Sequence, residues 1–496
     1  MCAGEPPSPA NSVRFLLDGE VVSAPDLPPT MTVLEYLREV AHRTGTKEGC
    51  AEGDCGACTV VLGELTADGA RVGYRAVNSC IRLLPTIDGQ ELVTVESLQA
   101  RDGALHPVQQ AMVDHHASQC GFCTPGFVMS LFALYLQSES PPREQVLEAL
   151  SGNLCRCTGY RPIIDAAMRM GAYPAPANWS REAAHSSSHL AALRALRRTQ
   201  ALKFAGFCAP RSSDELATAL EADPDAVLLA GGTDIGLWVT QLLRDLTSII
   251  YIGEVAELKR IRSDAVGITI SAAVPLTEGW AAIVAAYPQL AELAQRFGSP
   301  PVRNSGTLCG NIANGSPIGD AMPALIALGA QIELRRGSHT RQLPLERFYL
   351  GYQRKDLARG EFVVSVTVPA PRAGQRLASY KLSKRIDQDI SAVCAAFVVE
   401  RQGARIVAAR VAFGGLAAIP ARAHATENAL IGKPWSIDTI ESAAAALAED
   451  FQPLTDLRAS SSYRLQAAGN LLRRFYFETE GSSMPLRTAE AAAGPP

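Results

Sequence analysis

The chain has 496 residues, the length of about three or four domains, and its 47% hydrophobic and 19% charged content excludes a disordered polymer. Lysine plus arginine (46) nearly balances aspartate plus glutamate (50), a net charge of −4, which argues against nucleic-acid binding as the main role. No apolar run reaches the roughly 18 residues of a membrane span, and Met1 to Asn11 lacks the basic and apolar regions of a signal peptide, so a cytoplasmic location is expected.

Val13 to Leu16 alternates into Asp18-Gly19, a hairpin signal, and Val21-Val22 reads as the returning strand. Thr32 can cap a helix through Leu34, Leu37 and Val40, spaced as one apolar face. Val60 to Leu62, Tyr74 to Val77 and Leu92 to Val95 read as further strands of a small α+β fold. From Pro107 the period becomes helical: a face at Val108, Met112 and His115; an apolar helix over Phe127 to Leu136; a third after Pro141-Pro142, closed by Gly152; and a fourth over Arg161 to Met170. Tyr173 to Leu202, rich in Ala, Ser, Pro and His without a sustained period, reads as a linker. Beyond it, strands at Val227 to Ala230, Ile268 to Ser271, Gln331 to Leu334 and Phe362 to Val368 alternate with Ala-rich helices. Tyr380 to Phe475 looks like a last unit, with strands at Ala395 to Glu400 and Val407 to Phe413, and Gly481 to Pro496 reads as a disordered tail.

Eight of the twelve cysteines fall in two tight groups before residue 158; Cys2, Cys208, Cys309 and Cys394 are scattered. With no export signal, grouped cysteines point to metal or redox chemistry. Cys50, Cys55, Cys58 and the distant Cys80 follow C-x4-C-x2-C…C, the plant-type spacing for a [2Fe–2S] centre. A loop that wraps a small cluster needs unusual backbone angles, which Gly49, Gly53 and Gly56 can supply, and its freed amides can point at sulfur. Zinc is the rival, but structural zinc sites use paired C-x2-C knuckles. The second group, Cys120 and Cys123 with Cys155 and Cys157, suits zinc as well when taken alone. Both of its pairs sit at helix starts, which stabilise anions.

After the linker, Leu228, Leu229, Ala230, Gly231, Gly232, Thr233, Asp234 and Ile235 follow an apolar strand. This is not G-x-G-x-x-G, but a Gly pair with successive amides can cradle a pyrophosphate, although such a pair is more often a plain turn. The stretch from Arg303 to Asp320 is rich in small hydrogen-bonding residues.

The segments CAEGDCGACTV, CGFCTPGFVMS and GNLCRCTGYRPI resemble the two-cluster module of the molybdenum hydroxylases, the xanthine dehydrogenase and aldehyde oxidase family. AGGTDIG and GTLCGNIANGSPIGD are similar to the same family's FAD-binding domain, a fold related to vanillyl-alcohol oxidase. The resemblance covers about residues 12 to 475 and implies a multidomain α+β protein. Its parts would be a β-grasp ferredoxin-like domain (12–95), a four-helix [2Fe–2S] bundle (96–172), a linker (173–202), a FAD-binding α+β domain (203–375) and a C-terminal α/β domain (376–480), followed by the tail (481–496). It assigns both cysteine groups to iron–sulfur clusters. It also implies FAD contacts at Leu228 to Ile235, Thr307, Leu308, Cys309, Gly310 and Asn311, with Asp320 as acidic contact, Phe297 beside the flavin ring, Val364 through its backbone and Lys381 as basic contact. Cys309 departs from the glycine that many members carry. Without the resemblance, Phe297 and Val364 would be ordinary core, and Gln119 a surface residue rather than a contact to the pterin of a partner.

Members with one long chain continue into a molybdopterin domain. The resemblance therefore implies the small subunit of a bacterial-type member: an electron-transfer subunit of xanthine dehydrogenase without a catalytic acid or base of its own. It would pass electrons through two clusters and FAD to NAD+, paired with a separate molybdenum subunit in a heterotetramer. The alternatives are an aldehyde- or other N-heterocycle-oxidising hydroxylase, an oxygen-using oxidase, or a zinc-stabilised scaffold with a non-flavin nucleotide pocket.

Overall fold

The computed structural model describes residues 11–100, 102–174, 179 and 186–481, so Cys2, part of the expected linker and the tail from 482 lie outside the described residues. Packing divides the chain into two compact units. One comprises residues up to Lys259 with Pro275–Thr277 and Gly298–Thr307; the other comprises Arg260–Val274, Glu278–Phe297 and the chain from Leu308. The span 203–375, expected as one domain, is shared between them.

In the first unit, Val13–Leu17 and Glu20–Ala24 pair antiparallel with Leu17 opposite Glu20. Asp18 (φ 56°) and Gly19 (φ 78°) make the connection, the left-handed pair whose twist matches that of the strands. The strands lie in the order Glu20–Ala24, Val13–Leu17, Glu91–Val93, Thr59–Leu65, Val72–Asn78. Val13–Leu17 runs parallel to Glu91–Val93, and the other pairs are antiparallel. This is the expected β-grasp sheet. The helix after Thr32 departs from expectation. Thr32 and Glu35 form a reciprocal capping box, but after Val33–Glu35 the chain widens into a π-helical turn, Tyr36–Val40. The wider turn carries Val40 off the apolar face, so Leu34 and Leu37 are buried and Val40 is exposed.

Helices Pro107–Asp114, Thr124–Gln137, Arg143–Leu150 and Arg161–Arg169 form the bundle at the expected places. Proline opens three of them, where an amide would have no partner. The linker expectation needs correcting, because Ser186 caps a helix over Ser187–Leu196. Leu190, Leu193 and Leu196 bury at three-residue spacing, a short period masked by the Ala, Ser and His around it. His189 Nε2 on this helix lies 2.9 Å from Glu91 Oε2, which also accepts from the Tyr74 hydroxyl at 2.9 Å. Strands Leu202–Phe204, Phe207–Ala209, Ile249–Tyr251 and Val227–Leu229 complete the unit, and Phe207, Leu229 and Ile249 share a core with Phe15, Leu37 and Leu92 of the β-grasp lobe.

The second unit holds a five-stranded sheet in the order Ile261–Ser263, Gly267–Ser271, Phe362–Pro369, Gln331–Arg336, His339–Pro344, all antiparallel. Its C-terminal part is a second antiparallel sheet, Gln375–Leu382, Val393–Gln402, Arg405–Gly414 and Ala421–Arg422. Helices His424–Leu430, Ile437–Asp450 and Ser461–Thr479 follow that sheet rather than alternate with it, which sharpens the α/β expectation for this segment to α+β.

Candidate functional site

The first cysteine group lies on one loop and the end of a neighbouring strand. Cys58 and Cys80 are buried, Cys50 and Cys55 half-buried, and all four are free thiols. Cys58 Sγ lies 3.2 Å from Cys80 Sγ, and the Cys55 amide donates to Cys50 Sγ at 3.3 Å. Gly53 (φ 79°) and Gly56 (φ 71°) supply left-handed angles as expected, but Gly49 does not; the third such residue is Ala51 (φ 55°). Gly49 is needed for room, since a methyl group there would come within 2.8 Å of Cys55 Sγ. The loop carbonyls are held by side chains. Asn78 Nδ2 donates to Gly53 (2.7 Å), Ser79 Oγ to Cys58 (2.6 Å), Thr240 Oγ1 to Ala51 (2.6 Å) and Gln241 Nε2 to Cys50 (3.0 Å). Meanwhile the amides of Cys55 and Glu52 approach the Cys50 sulfur and that of Ala57 the Cys55 sulfur. Carbonyls engaged elsewhere and amides turned to sulfur are what an anionic cluster needs. Hydrogen bonding from Cys55 and then Cys80 drives the Cys50 thiol far below its ordinary range, and the same contacts drive Cys55 and Cys80 far above it.

The second group is built from helix ends. Cys123 is the N-cap of Thr124–Gln137, and Tyr160 (φ 67°) precedes Arg161–Arg169. Cys120 and Cys157 are exposed, Cys123 and Cys155 half-buried. Cys120 is within hydrogen-bonding reach of Cys157, and Cys123 of Cys155. An amide hydrogen bond from Phe122 lowers the Cys120 thiol, while burial, then Cys155, pushes Cys123 up to about 12. Cys155 donates its amide to the Tyr160 hydroxyl at 2.9 Å, and its sulfur meets Thr158 Oγ1 at 3.2 Å. Gln119 is exposed beside this group, as are Phe122, Leu154 and Tyr160. Among the described residues no set of three or more His, Cys, Asp or Glu side chains closes on a single metal ion. The fit to clusters lies in the paired sulfurs and the amides turned toward them.

Leu228 to Ile235 form a strand, loop and helix start in the first unit, with Leu229 buried and Asp234 exposed. Gly232 is left-handed (φ 76°), and a methyl group on Gly231 would lie 2.0 Å from the Ser305 carbonyl oxygen. One turn on, a methyl group on Gly236 would lie 2.5 Å from the carbonyl oxygen of Ile81, the residue after Cys80. Thr307, buried, belongs to the same unit. The other expected flavin contacts lie in the second unit, where Leu308, Cys309, Gly310 and Asn311 open the helix Leu308–Asn314. Leu308 and Cys309 are buried, and burial pushes the Cys309 thiol up to about 12. Asn311 Oδ1 is buried without a hydrogen-bond partner, an acceptor suited to a ligand donor. Asp320 and Lys381, expected as separate contacts, meet as a buried pair: Lys381 Nζ donates to Asp320 Oδ2 and Ser391 Oγ to Oδ1, both at 2.5 Å. Phe297 is buried with its ring 5.7 Å from that of Trp280, a core-like setting. Val364 is the extra residue of a β-bulge, because Leu334 pairs with Val363 and Glu333 with Ser365.

Sequence reasoning missed Tyr160, Thr240 and Gln241. Tyr160 stands inside GNLCRCTGY, three residues after Cys157, where a signal was available. Thr240 and Gln241 carried none.

A β-grasp sheet and a four-helix bundle, each bearing a four-thiol group, together with a Gly-Gly strand-to-helix loop, define an iron–sulfur flavoprotein of the electron-transfer class. Residues 15–83 match the 2Fe-2S iron-sulfur cluster binding domain and 94–168 the [2Fe-2S] binding domain. Residues 201–371 match the FAD binding domain in molybdopterin dehydrogenase, and 378–479 the CO dehydrogenase flavoprotein C-terminal domain. The chain belongs to the molybdenum hydroxylase family of oxidoreductases, as a chain of its iron–sulfur and flavin type. It is 31% identical to xanthine dehydrogenase 1 of Arabidopsis thaliana over 89% of its own length, and 30% identical to the xanthine dehydrogenase of Emericella nidulans over 94%. It spans only 37% and 38% of those relatives. Among solved structures, a carbon monoxide dehydrogenase chain from Hydrogenophaga pseudoflava is 31% identical with a TM-score of 0.52, covering 55% of this chain and 96% of that one. A quinoline 2-oxidoreductase chain from Pseudomonas putida is 26% identical with a TM-score of 0.51, covering 58% and 100%.

Proposed function

We propose that this chain is the electron-transfer subunit of an NAD-dependent xanthine dehydrogenase. A separate molybdopterin-binding chain would oxidise hypoxanthine and xanthine to urate, in a cytoplasmic assembly of two small and two large chains. Cys50, Cys55, Cys58 and Cys80 would hold one [2Fe–2S] cluster, and Cys120, Cys123, Cys155 and Cys157 the other. The FAD contacts are assigned on each unit separately: Leu228 to Ile235 and Thr307 on the first, and Leu308 to Asn311, Phe297, Asp320, Val364 and Lys381 on the second. When bound, these groups supply single-electron carriers and a flavin able to pass a hydride to NAD+.

What supports the reading is the succession of thiol groups through one unit. The Leu154 amide, next to Cys155, donates to the Cys55 carbonyl at 3.0 Å. Ile81, next to Cys80, packs on the turn that carries Gly232 and Gly236. The second group would then receive electrons and the first would deliver them toward the flavin. The exposed Phe122, Leu154 and Tyr160 beside Gln119 suit a partner chain at the second group.

Iron and flavin analysis of the purified chain should give about four irons and one flavin, with a visible spectrum; two irons with zinc, which is colourless, would overturn the second site. The co-expressed pair should reduce NAD+ with xanthine or hypoxanthine. Turnover of aldehydes alone, or with oxygen alone, would favour the second reading, a hydroxylase for another substrate or an oxygen-using oxidase. The likeness to the carbon monoxide dehydrogenase and quinoline 2-oxidoreductase chains keeps that reading in view. Asp320→Ala should strip FAD while leaving the iron intact. It also leaves Lys381 buried and unpaired, so the unfolding of the second unit should fall by about 3–5 kcal/mol; unchanged flavin content would remove Asp320 from the site.

A further inference from the structure

We propose that Asn153 is a positioning residue that sets the electronic contact between the two cysteine groups, an inference that rests on the two-cluster reading above. Asn153 is neither a thiol nor a neighbour of the flavin loop, yet it is 2% exposed and spends its whole amide on the junction between the groups. Its Oδ1 accepts from Ser130 Oγ of the helix Thr124–Gln137 at 2.6 Å, the helix that Cys123 caps. Its Nδ2 donates to the Gly56 carbonyl at 3.0 Å, the residue after Cys55, and to Thr59 Oγ1 at 3.3 Å. The following residue, Leu154, donates its amide to the Cys55 carbonyl at 3.0 Å. Cys55 Sγ and Cys155 Sγ are thereby connected through covalent bonds and a single hydrogen bond. Electron tunnelling falls off far more slowly along such a path than across a gap, so the length of that one hydrogen bond matters.

Close packing around Asn153 shows how tightly the hydrogen bond is held. A methyl group on Gly126 would lie 2.1 Å from the Gly56 oxygen, and one on Gly56 would lie 2.1 Å from the Gly152 oxygen. From the other side, a methyl group on Gly152 would meet Ser299 Cβ at 2.8 Å and Pro301 Cδ at 3.1 Å. The strip Gly152-Asn153-Leu154 is therefore pressed between the first cysteine loop and the segment Ser299–Pro301, and the Asn153 amide fixes its register. Only an amide serves, because one end must accept and the other donate. Aspartate would set a second acceptor against the Gly56 carbonyl, and alanine would leave that carbonyl and the Ser130 hydroxyl without this partner.

The test uses the full chain loaded with iron and flavin, as wild type, Asn153→Asp, Asn153→Ala and Ser130→Ala. Iron and flavin content, the magnetic interaction between the two reduced clusters by electron paramagnetic resonance, their midpoint potentials, and electron equilibration between them after a reducing flash are measured. The Asn153 variants should keep about four irons but show a weakened magnetic splitting. Equilibration should slow severalfold, because lengthening the Leu154–Cys55 hydrogen bond lengthens the only non-covalent step of the path. Ser130→Ala, which keeps Asn153, should show a smaller change of the same sign. Fully loaded variants with splitting and rate unchanged overturn the proposal and leave the two-cluster reading standing. So does iron loss in the Asn153 variants accompanied by normal splitting in the molecules that remain loaded, or in Ser130→Ala. A wild-type chain with zinc or half the iron overturns the two-cluster reading, and this proposal with it.

Discussion

The two cysteine groups sit in the same unit and are built in opposite ways. The first is a loop that closes on itself, with Cys58 and Cys80 buried, its carbonyls tied by Asn78, Ser79, Thr240 and Gln241, and Gly56 held in a backbone conformation that side chains disfavour. The second gathers the ends of two helices, leaves Cys120 and Cys157 exposed, and is rimmed by exposed Phe122, Leu154 and Tyr160. A site made from a loop must bring its own lid. A site made from helix ends is rigid without one and can stay open to a second molecule.

Replacing one thiol in each group is the strongest way to break this comparison. Under the function proposed above, Cys155→Ser in the assembled pair should leave about two irons per small chain, stop electron flow from substrate to flavin, and leave NADH able to reduce the flavin and the remaining cluster. Unfolding should change little, because Cys155 is only half-buried. Cys58→Ser should lose the other two irons and also destabilise the lobe, since its hydroxyl would be buried among Leu34, Cys80 and Ile81. If the proposed xanthine-to-NAD+ turnover of the assembled pair survives Cys155→Ser unchanged, the open group lies off the electron path.

Two glycines test the difference in construction. Gly56→Ala combines a left-handed backbone with a methyl group 2.1 Å from the Gly152 oxygen. It should cost more than about 3 kcal/mol, the upper range for overpacking, and lower the iron content of both groups. Gly121→Ala, also left-handed but with nothing within 4 Å, should cost only the strain of about 1–2 kcal/mol. Equal losses in denaturant unfolding would mean that the closed loop is no tighter than the open one.

Two histidines extend the contrast to pH. His106 in the bundle is fully buried, caps the helix Pro107–Asp114 by accepting the Val108 amide at Nδ1, and packs edge-on to Phe132 and Tyr135. Burial lowers its pKa to about 4, so the unfolded chain binds the proton first as pH falls through about 6.5. Stability should therefore drop between about pH 6.5 and 4, by up to roughly 3 kcal/mol at about 1.4 kcal/mol per pKa unit. His106→Gln, which can still accept at the cap, should flatten that drop. His189 on the β-grasp side has the opposite sign, because its hydrogen bond to Glu91 raises its pKa. Its contribution is fully present below the unfolded value and is lost as pH rises through the folded value. His189→Gln should therefore cost more at pH 5.5 than at pH 8.5, by less than the His106 effect; equal costs at both pH values would remove the ionic contribution.

By itself the sequence determined whatever is local along the chain. Asp18-Gly19 dictates its turn, prolines open the bundle helices and C-x4-C-x2-C shapes its loop, because spacings of a few residues carry their geometry; the joining of Cys120 and Cys123 with Cys155 and Cys157, and the flavin role of the Gly231-Gly232 loop, were legible only through the family resemblance. The same logic fails where one extra residue enters a turn, as at Tyr36–Val40, or where a helix as short as Ser187–Leu196 is hidden by its composition. Only the tertiary structure decided the rest. It paired Asp320 with Lys381, set Thr240 against Ala51, and placed Asn153 between Ser130 and Gly56, contacts between residues 61, 189 and 97 positions apart for the pairs Lys381–Asp320, Thr240–Ala51 and Asn153–Gly56. A buried hydrogen bond between such distant residues leaves no periodicity in either segment. It exists because the packed core brings two polar groups out of water together, where each must find the other.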